Sequence, residues 1–214
     1  MDETLIHTFR LKEIEDLCLF GVDVSQILKL LGYTCMKRPG VEEFLLEMSK
    51  HFILIPWTAG TEEYAAPILD WLDPDDSLFK FRLYRQHCVT NDGGKSFVKD
   101  LTKLNIPLSR VLILDNYPRS YQNQPENGVP IINFEGDQLD SELRSDCYTQ
   151  LLIKASTLKD VRKGITPDAR LIVEKKRSET VSKRVNIVRA FIFMVLFDLI
   201  MCSFNCFDFN DRWC

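Results

Sequence analysis

No two cysteines of this chain stand as a CxxC pair, although seven are present, at Cys18, Cys35, Cys88, Cys147, Cys202, Cys206 and Cys214. An odd number at irregular spacing argues against a disulfide framework and against a zinc site, and fits a reducing, intracellular compartment. Histidine is scarce as well. His7, His51 and His87 are the three that occur; they lack metal-ligand spacing and read as structural or exposed. Basic charge is not in excess, since the formal net charge is −4. The cationic footprint that neutralises nucleic-acid phosphates is therefore missing, and direct nucleic-acid binding is not expected. A single phosphate on a protein needs only a few local cations, so a phosphorylated protein remains open as substrate. The opening stretch, MDETLIHTFRLKEIED, is too acidic for a transit peptide and too short in apolar run for a secretory signal. No internal repeat or low-complexity segment stands out.

What the chain does have is 214 residues, 45% of them hydrophobic and 27% charged, one domain's worth of core without metal or disulfide staples. Three short apolar runs read as buried parallel strands: His51–Trp57 (HFILIPW), Val111–Leu114 (VLIL) and Val129–Phe134 (VPIINF). Helical spacing lies between them. In Val41–Lys50 it places Val41, Phe44, Leu45 and Met48 on one face, and in Glu62–Leu72 it aligns Tyr64, Ala65, Ile68 and Leu72. Phe97–Leu104 and Asp140–Lys154 are expected as further helices, and Phe79–Lys95, with Gly93 and Gly94 at its turn, as a small β-hairpin insert. Alternating strand and helix signals predict an α/β fold with a mainly parallel sheet. The character changes near Thr166, so the domain is expected to span residues 1–165. Residues 166–214 then form a basic linker, Lys175–Arg189, and an apolar tail. Ala190–Phe207 has 18 residues, near the minimum for a membrane helix, but carries Asp198 near its middle and Asn205 beyond it. A central Asp costs about 2.5–3.5 kcal/mol on insertion. A tail anchor, a peripheral amphipathic segment and translated sequence beyond a true coding end all stay open, and a membrane enters only through this tail.

In open parallel sheets, ligands gather at the carboxyl ends of the strands. Asp2 stands where it would follow a strand if one preceded it, Thr58 follows HFILIPW, and Asp115-Asn116 follows VLIL. Lys99 lies in FVKDL, 16 residues before Asp115. A hydroxyl, an ammonium and oxygen donors at such places suit a phosphate and magnesium site, because Mg²⁺ takes oxygen ligands and cations neutralise a transferring phosphoryl group. Each residue also has an ordinary reading. Asp2 can be a solvated terminal residue, Thr58 a helix cap, Lys99 a surface lysine, and Asp115–Pro118 a plain turn after a strand.

KRPGVEEFL, IPWTAGTEEYAAPILDWLD, LYRQHCV, FVKDLTKLNIPLSRVLILDN and LKDVRKGI follow one another in this order. In that order they resemble FCP/SCP-type phosphatases, the NLI-interacting-factor-like branch of the haloacid dehalogenase superfamily, over roughly Met1 to Ile165. The resemblance implies a HAD-like Rossmannoid three-layer fold. It further implies a magnesium-dependent phosphoserine/phosphothreonine phosphatase working through an aspartyl-phosphate. Carried onto this chain it makes Asp2 the acid/base and, through its carbonyl, a magnesium ligand. Thr58 and Lys99 become phosphate-binding groups, Arg85 a substrate-side arginine on the inserted hairpin, and Asp115 and Asn116 metal-site residues. The implied substrate is a phosphorylated protein, for instance the RNA polymerase II tail, and the implied location is nuclear or cytoplasmic. The family opens with DxDE[TS]L. Here Asp2 matches its second Asp and Met1 the residue between, so the nucleophilic Asp and the first strand are missing from this sequence. A piece of a longer protein is the expected reason. A catalytically inactive phosphopeptide-binding module and a receptor like the mitochondrial translocase subunit of the same fold are the alternatives.

Overall fold

The structure is a computed structural model that describes residues 1–10, 27–30 and 32–165, all within one compact unit, Met1–Val173. The linker and tail expected from residue 166 onward lie outside the described residues. Three strands come first. β1 (Ile6–Arg10) pairs antiparallel with β3 (Tyr33–Lys37), and β3 pairs on its other edge with β2 (Ile27–Leu30). This antiparallel sheet was not expected from the sequence, because its segments are short and lack the uniform apolar runs that mark a doubly covered strand. α1 (Val41–Ser49) buries Val41, Phe44, Leu45 and Met48, the face that its spacing predicts. α2 (Glu62–Leu72) has the predicted bounds and buries Ala65, Ile68, Leu69 and Leu72.

The run His51–Trp57 makes only isolated parallel bridges, Leu54 to Phe79 and Trp57 to Leu83, rather than a ladder. Pro56 supplies no N–H, which limits continuous pairing. The hairpin is present but shifted along the chain: β4 (Val89–Asn91) pairs antiparallel with β5 (Ser96–Val98) across Asp92–Lys95. Phe97–Leu104 is therefore not a helix. Its first residues complete the hairpin, and Leu101–Leu104 is a single 3-10 turn. Asp100 caps that turn by accepting from the Thr102 amide, and Asn105, in the left-handed region with φ 53°, ends it. β6 (Ile113–Asp115) and β7 (Gly128–Pro130) pair in parallel and set Asp115 at a strand end. α3 (Asp146–Ser156) begins six residues later than expected, because Asp140 is drawn away from helix geometry by a buried ion pair. Arg38, fully buried, grips both Asp140 oxygens at 2.8 and 2.9 Å. It also donates to the carbonyls of Thr4 and Ile132 at 3.0 and 2.9 Å. One side chain thus ties together the first turn, the chain after β7 and the approach to α3.

The main core joins Ile6, Phe44, Leu45, Ile68, Leu69, Val129, Ile131 and Tyr148, and a smaller cluster around Trp57, Leu101 and Val111 lies under the hairpin. Cys35, Cys88 and Cys147 are free thiols. No helix among the described residues is long and apolar enough to cross a membrane.

Candidate active site

The site is assembled from the first turn of the chain, the end of β6 and the loops before α2 and after β5. Met1–Leu5 forms a tight turn in which the Met1 carbonyl accepts from the amides of Thr4 and Leu5 at 3.2 and 2.9 Å. The Met1 nitrogen is buried, and the charges that act on it are those of Lys99, Asp115, Asp2 and Glu3. As an amine its pKa is lowered to about 6, chiefly by burial and next by the Lys99 ammonium.

Lys99 and Asp115 are both buried and form an ion pair at 2.5 Å. Asp115 Oδ1 takes the Tyr117 amide at 2.8 Å, so both carboxylate oxygens have partners. Burial pushes this carboxyl up, but Lys99, the Met1 nitrogen and the Tyr117 amide together outweigh it and hold the pKa below the usual value. Lys99 is anchored from the other side, where its amide donates to the Ser120 carbonyl at 2.6 Å.

Asn116 faces the first turn. Its Oδ1 accepts from the Thr4 hydroxyl at 3.0 Å, and its Nδ2 donates to Glu3 at 3.1 Å and, more weakly, to Asn133 at 3.4 Å. Asp2 Oδ1 accepts from the Tyr64 phenol in a short hydrogen bond and from the Thr8 hydroxyl at 3.4 Å. The Tyr64 phenol is pushed up first by burial and then by the Asp2 carboxylate, so it stays a donor. Thr8 also meets Tyr64 at 2.7 Å and Cys35 at 3.4 Å. Burial, the largest cause, raises the Cys35 thiol to about 11.

Thr58 is buried, and its hydroxyl oxygen accepts from the Gly60 amide at 2.9 Å, which leaves the hydroxyl proton free to donate elsewhere. The loop lies against Tyr64: a Cβ on Gly60 would sit 2.7 Å from the Tyr64 ring and 3.2 Å from Thr58 Oγ1. Gly60, which holds the Thr58 hydroxyl, thus lies beside the ring that holds Asp2. Arg85 lies on a 3-10 turn, Arg85–His87, just before the hairpin rather than on it. Its Nε donates to the Ala59 carbonyl at 2.6 Å, beside Thr58, and its guanidinium rests 4.9 Å from the centre of the Phe97 ring.

Asp2 thus shares the first turn with Glu3 and Thr4, which hold Asn116; the Lys99–Asp115 pair adjoins Asn116, and Arg85 reaches from its 3-10 turn to the carbonyl beside Thr58. Glu3, Thr4, Thr8, Tyr64 and Asn133 were not singled out from the sequence. Tyr64 reads there as one more residue on the core face of α2, and its reach to Asp2, 62 residues away, leaves no local mark. No three His, Cys, Asp or Glu side chains among the described residues gather as a metal cluster. The oxygens that the sequence reading offers are the Asp115 carboxylate, the Asn116 carboxamide and the Asp2 main-chain carbonyl. That set suits a hard cation that keeps several waters.

Residues 1–162 match the NLI interacting factor-like phosphatase family. Nuclear envelope morphology protein 1 of Schizosaccharomyces pombe is 45% identical over 111 residues, 52% of this chain and 23% of that protein. The human CTD small phosphatase-like protein is 40% identical over 143 residues, 67% of this chain and 50% of that protein. The chain therefore spans about half or less of these relatives. The solved structure of Fcp1, an essential RNA polymerase II CTD phosphatase, aligns with a TM-score of 0.53 at 21% identity, covering 87% of this chain and 51% of that one. This last likeness concerns the fold, which is HAD-like α/β. The chain belongs to the NLI interacting factor-like phosphatase family.

Proposed function

We propose that this chain carries most of the active site of a magnesium-dependent phosphoserine/phosphothreonine protein phosphatase. One observation carries the reading: Lys99 and Asp115 form a buried ion pair at a strand end, and the buried Met1 nitrogen, next to Asp2 in the chain, feels the charge of both. The family's nucleophilic Asp belongs to the position before Met1, outside this sequence, and would follow the chain into that place. There it attacks phosphorus, and the serine or threonine oxygen leaves as the aspartyl-phosphate forms. Asp2 gives a proton to that oxygen, then takes one from the water that hydrolyses the aspartyl-phosphate. Tyr64 holds Asp2 in place for both steps. Lys99 balances the charge of the nucleophile and phosphate, and the Thr58 hydroxyl proton is available to a phosphate oxygen. Magnesium would be held by Asp115, Asn116 and the Asp2 carbonyl, and when bound it reduces repulsion between carboxylate and phosphate dianion. Arg85 is the group proposed to meet the substrate peptide.

The names of the relatives support a phosphorylated protein as substrate, the RNA polymerase II tail among the options, and an intracellular place of action, nuclear or cytoplasmic. We also propose that the domain ends near Ile165. The test is hydrolysis of p-nitrophenyl phosphate with Mg²⁺ by this sequence and by a version extended with its native upstream residues. Turnover by the extended form alone is the expected result. No turnover by either, with the fold intact, overturns the enzyme reading in favour of a phosphopeptide-binding or presequence-binding module.

A further inference from the structure

We propose that Glu3 is a positioning residue that decides which end of the Asn116 carboxamide serves the metal site, an inference that rests on the reading of Asn116 as an oxygen donor to magnesium. Glu3 sits in the left-handed backbone region with φ 57°. That conformation comes freely to glycine and is strained for a glutamate. The main chain there is well used: the Glu3 amide donates to the Ile6 carbonyl, and the Glu3 carbonyl accepts from the Phe134 amide, both at 2.7 Å. Glycine would make both bonds without strain. The turn therefore accounts for the backbone and not for the side chain.

Among the described residues the side chain takes one hydrogen bond, from Asn116 Nδ2 at 3.1 Å. A carboxamide can point either way, and its other neighbours do not settle which. The Thr4 hydroxyl, 3.0 Å from Oδ1, can donate or accept, and the carboxamide of Asn133, 3.4 Å from Nδ2, can itself turn over. A carboxylate only accepts. Were Asn116 reversed, its carbonyl oxygen would face the negative oxygens of Glu3. Glu3 thus commits the NH₂ end to itself and the carbonyl end to the site, where Thr4 uses one lone pair and the other is left for a cation. Strain at Glu3 persists because it fixes this orientation.

The test uses the upstream-extended chain and two variants, Glu3→Gly and Glu3→Gln. Thermal unfolding is followed without metal, and Mn²⁺ binding is followed by electron paramagnetic resonance with Mg²⁺ displacement. Glycine relieves the strain but frees Asn116, so Tm should rise by about 1–4 °C while Mn²⁺ affinity falls by about 10-fold. Glutamine keeps the strain and offers one acceptor, so Tm should stay and affinity should fall between the two. Stability and metal affinity moving in opposite directions is a result that a merely structural role does not give. A Glu3→Gly protein that melts lower, or that binds Mn²⁺ like the unaltered chain, overturns the inference alone. An unaltered chain that takes up no Mn²⁺ removes the magnesium reading, and this inference with it.

Discussion

At the scale of the residue, the strongest commitment is the buried Lys99–Asp115 pair. Taking two charges out of water is costly, and the pair is tolerable because each oxygen of Asp115 has a donor. Lys99→Met leaves a carboxylate buried without its cation, so the fold should lose about 3–5 kcal/mol. Urea denaturation at neutral pH measures this, and an unchanged midpoint would show that the pair contributes nothing. Tyr64→Phe removes one donor from Asp2 and little volume. Losing a hydrogen bond to a charged group costs about 1.5–3 kcal/mol, so in the upstream-extended chain kcat should drop by about 10- to 100-fold with KM nearly constant. A change confined to KM would place Tyr64 on the substrate instead. Asp2, Lys99, Asp115 and Asn116 were visible in the sequence as polar residues at the ends of apolar runs or in ordered motifs. Their partners were not: Thr4 and Asn116 are 112 positions apart, and such pairings exist only once the chain is folded.

At the scale of the element, α1 and α2 were legible because a helix writes its buried face at every third or fourth position. The strands were harder. His51–Trp57 is apolar enough for a strand, yet Pro56 breaks the donor pattern, and the local sequence does not say that Leu54 and Trp57 alone will bridge to Phe79 and Leu83. Phe97 and Val98 look equally well like a helix start. They become strand because Thr90 and Val89 lie opposite them. Capping by aspartate recurs. Asp160 accepts from the Arg162 amide and pairs with its guanidinium at 2.7 Å, closing the last turn, Val161–Gly164. Arg162 lowers the Asp160 carboxyl from 3.8 to about 2. A folded-state pKa below the unfolded one stabilises the fold above the unfolded value and is lost on acidification through the folded one. The difference in urea midpoint between the chain and Asp160→Asn should therefore be constant above pH 4 and close between pH 4 and 2. A gap that persists at pH 2 would mean that the cap acts by shape and not by charge.

At the scale of the whole molecule, the order of motifs carried more than any one of them. Five short segments in fixed succession pointed to the family that residues 1–162 match. Single-strand assignments contributed less, because the parallel pairings are short and the first sheet is antiparallel. The fold ties distant parts of this span together: Arg38 clamps the first turn to the chain after β7 and to Asp140. The proposed chemistry rests on Asp2 as the acid/base of a covalent phosphoryl transfer. The most direct test is a rapid-mixing burst with p-nitrophenyl phosphate, using the upstream-extended chain carrying Asp2→Asn. Nitrophenolate leaves readily without an acid, so the first step should survive while hydrolysis of the aspartyl-phosphate stalls. The expected result is a burst approaching one equivalent of nitrophenol, a hydroxylamine-labile phosphoenzyme and slow turnover afterwards. Steady turnover at the rate of the unaltered chain, with no burst and no phosphoenzyme, would contradict the claim.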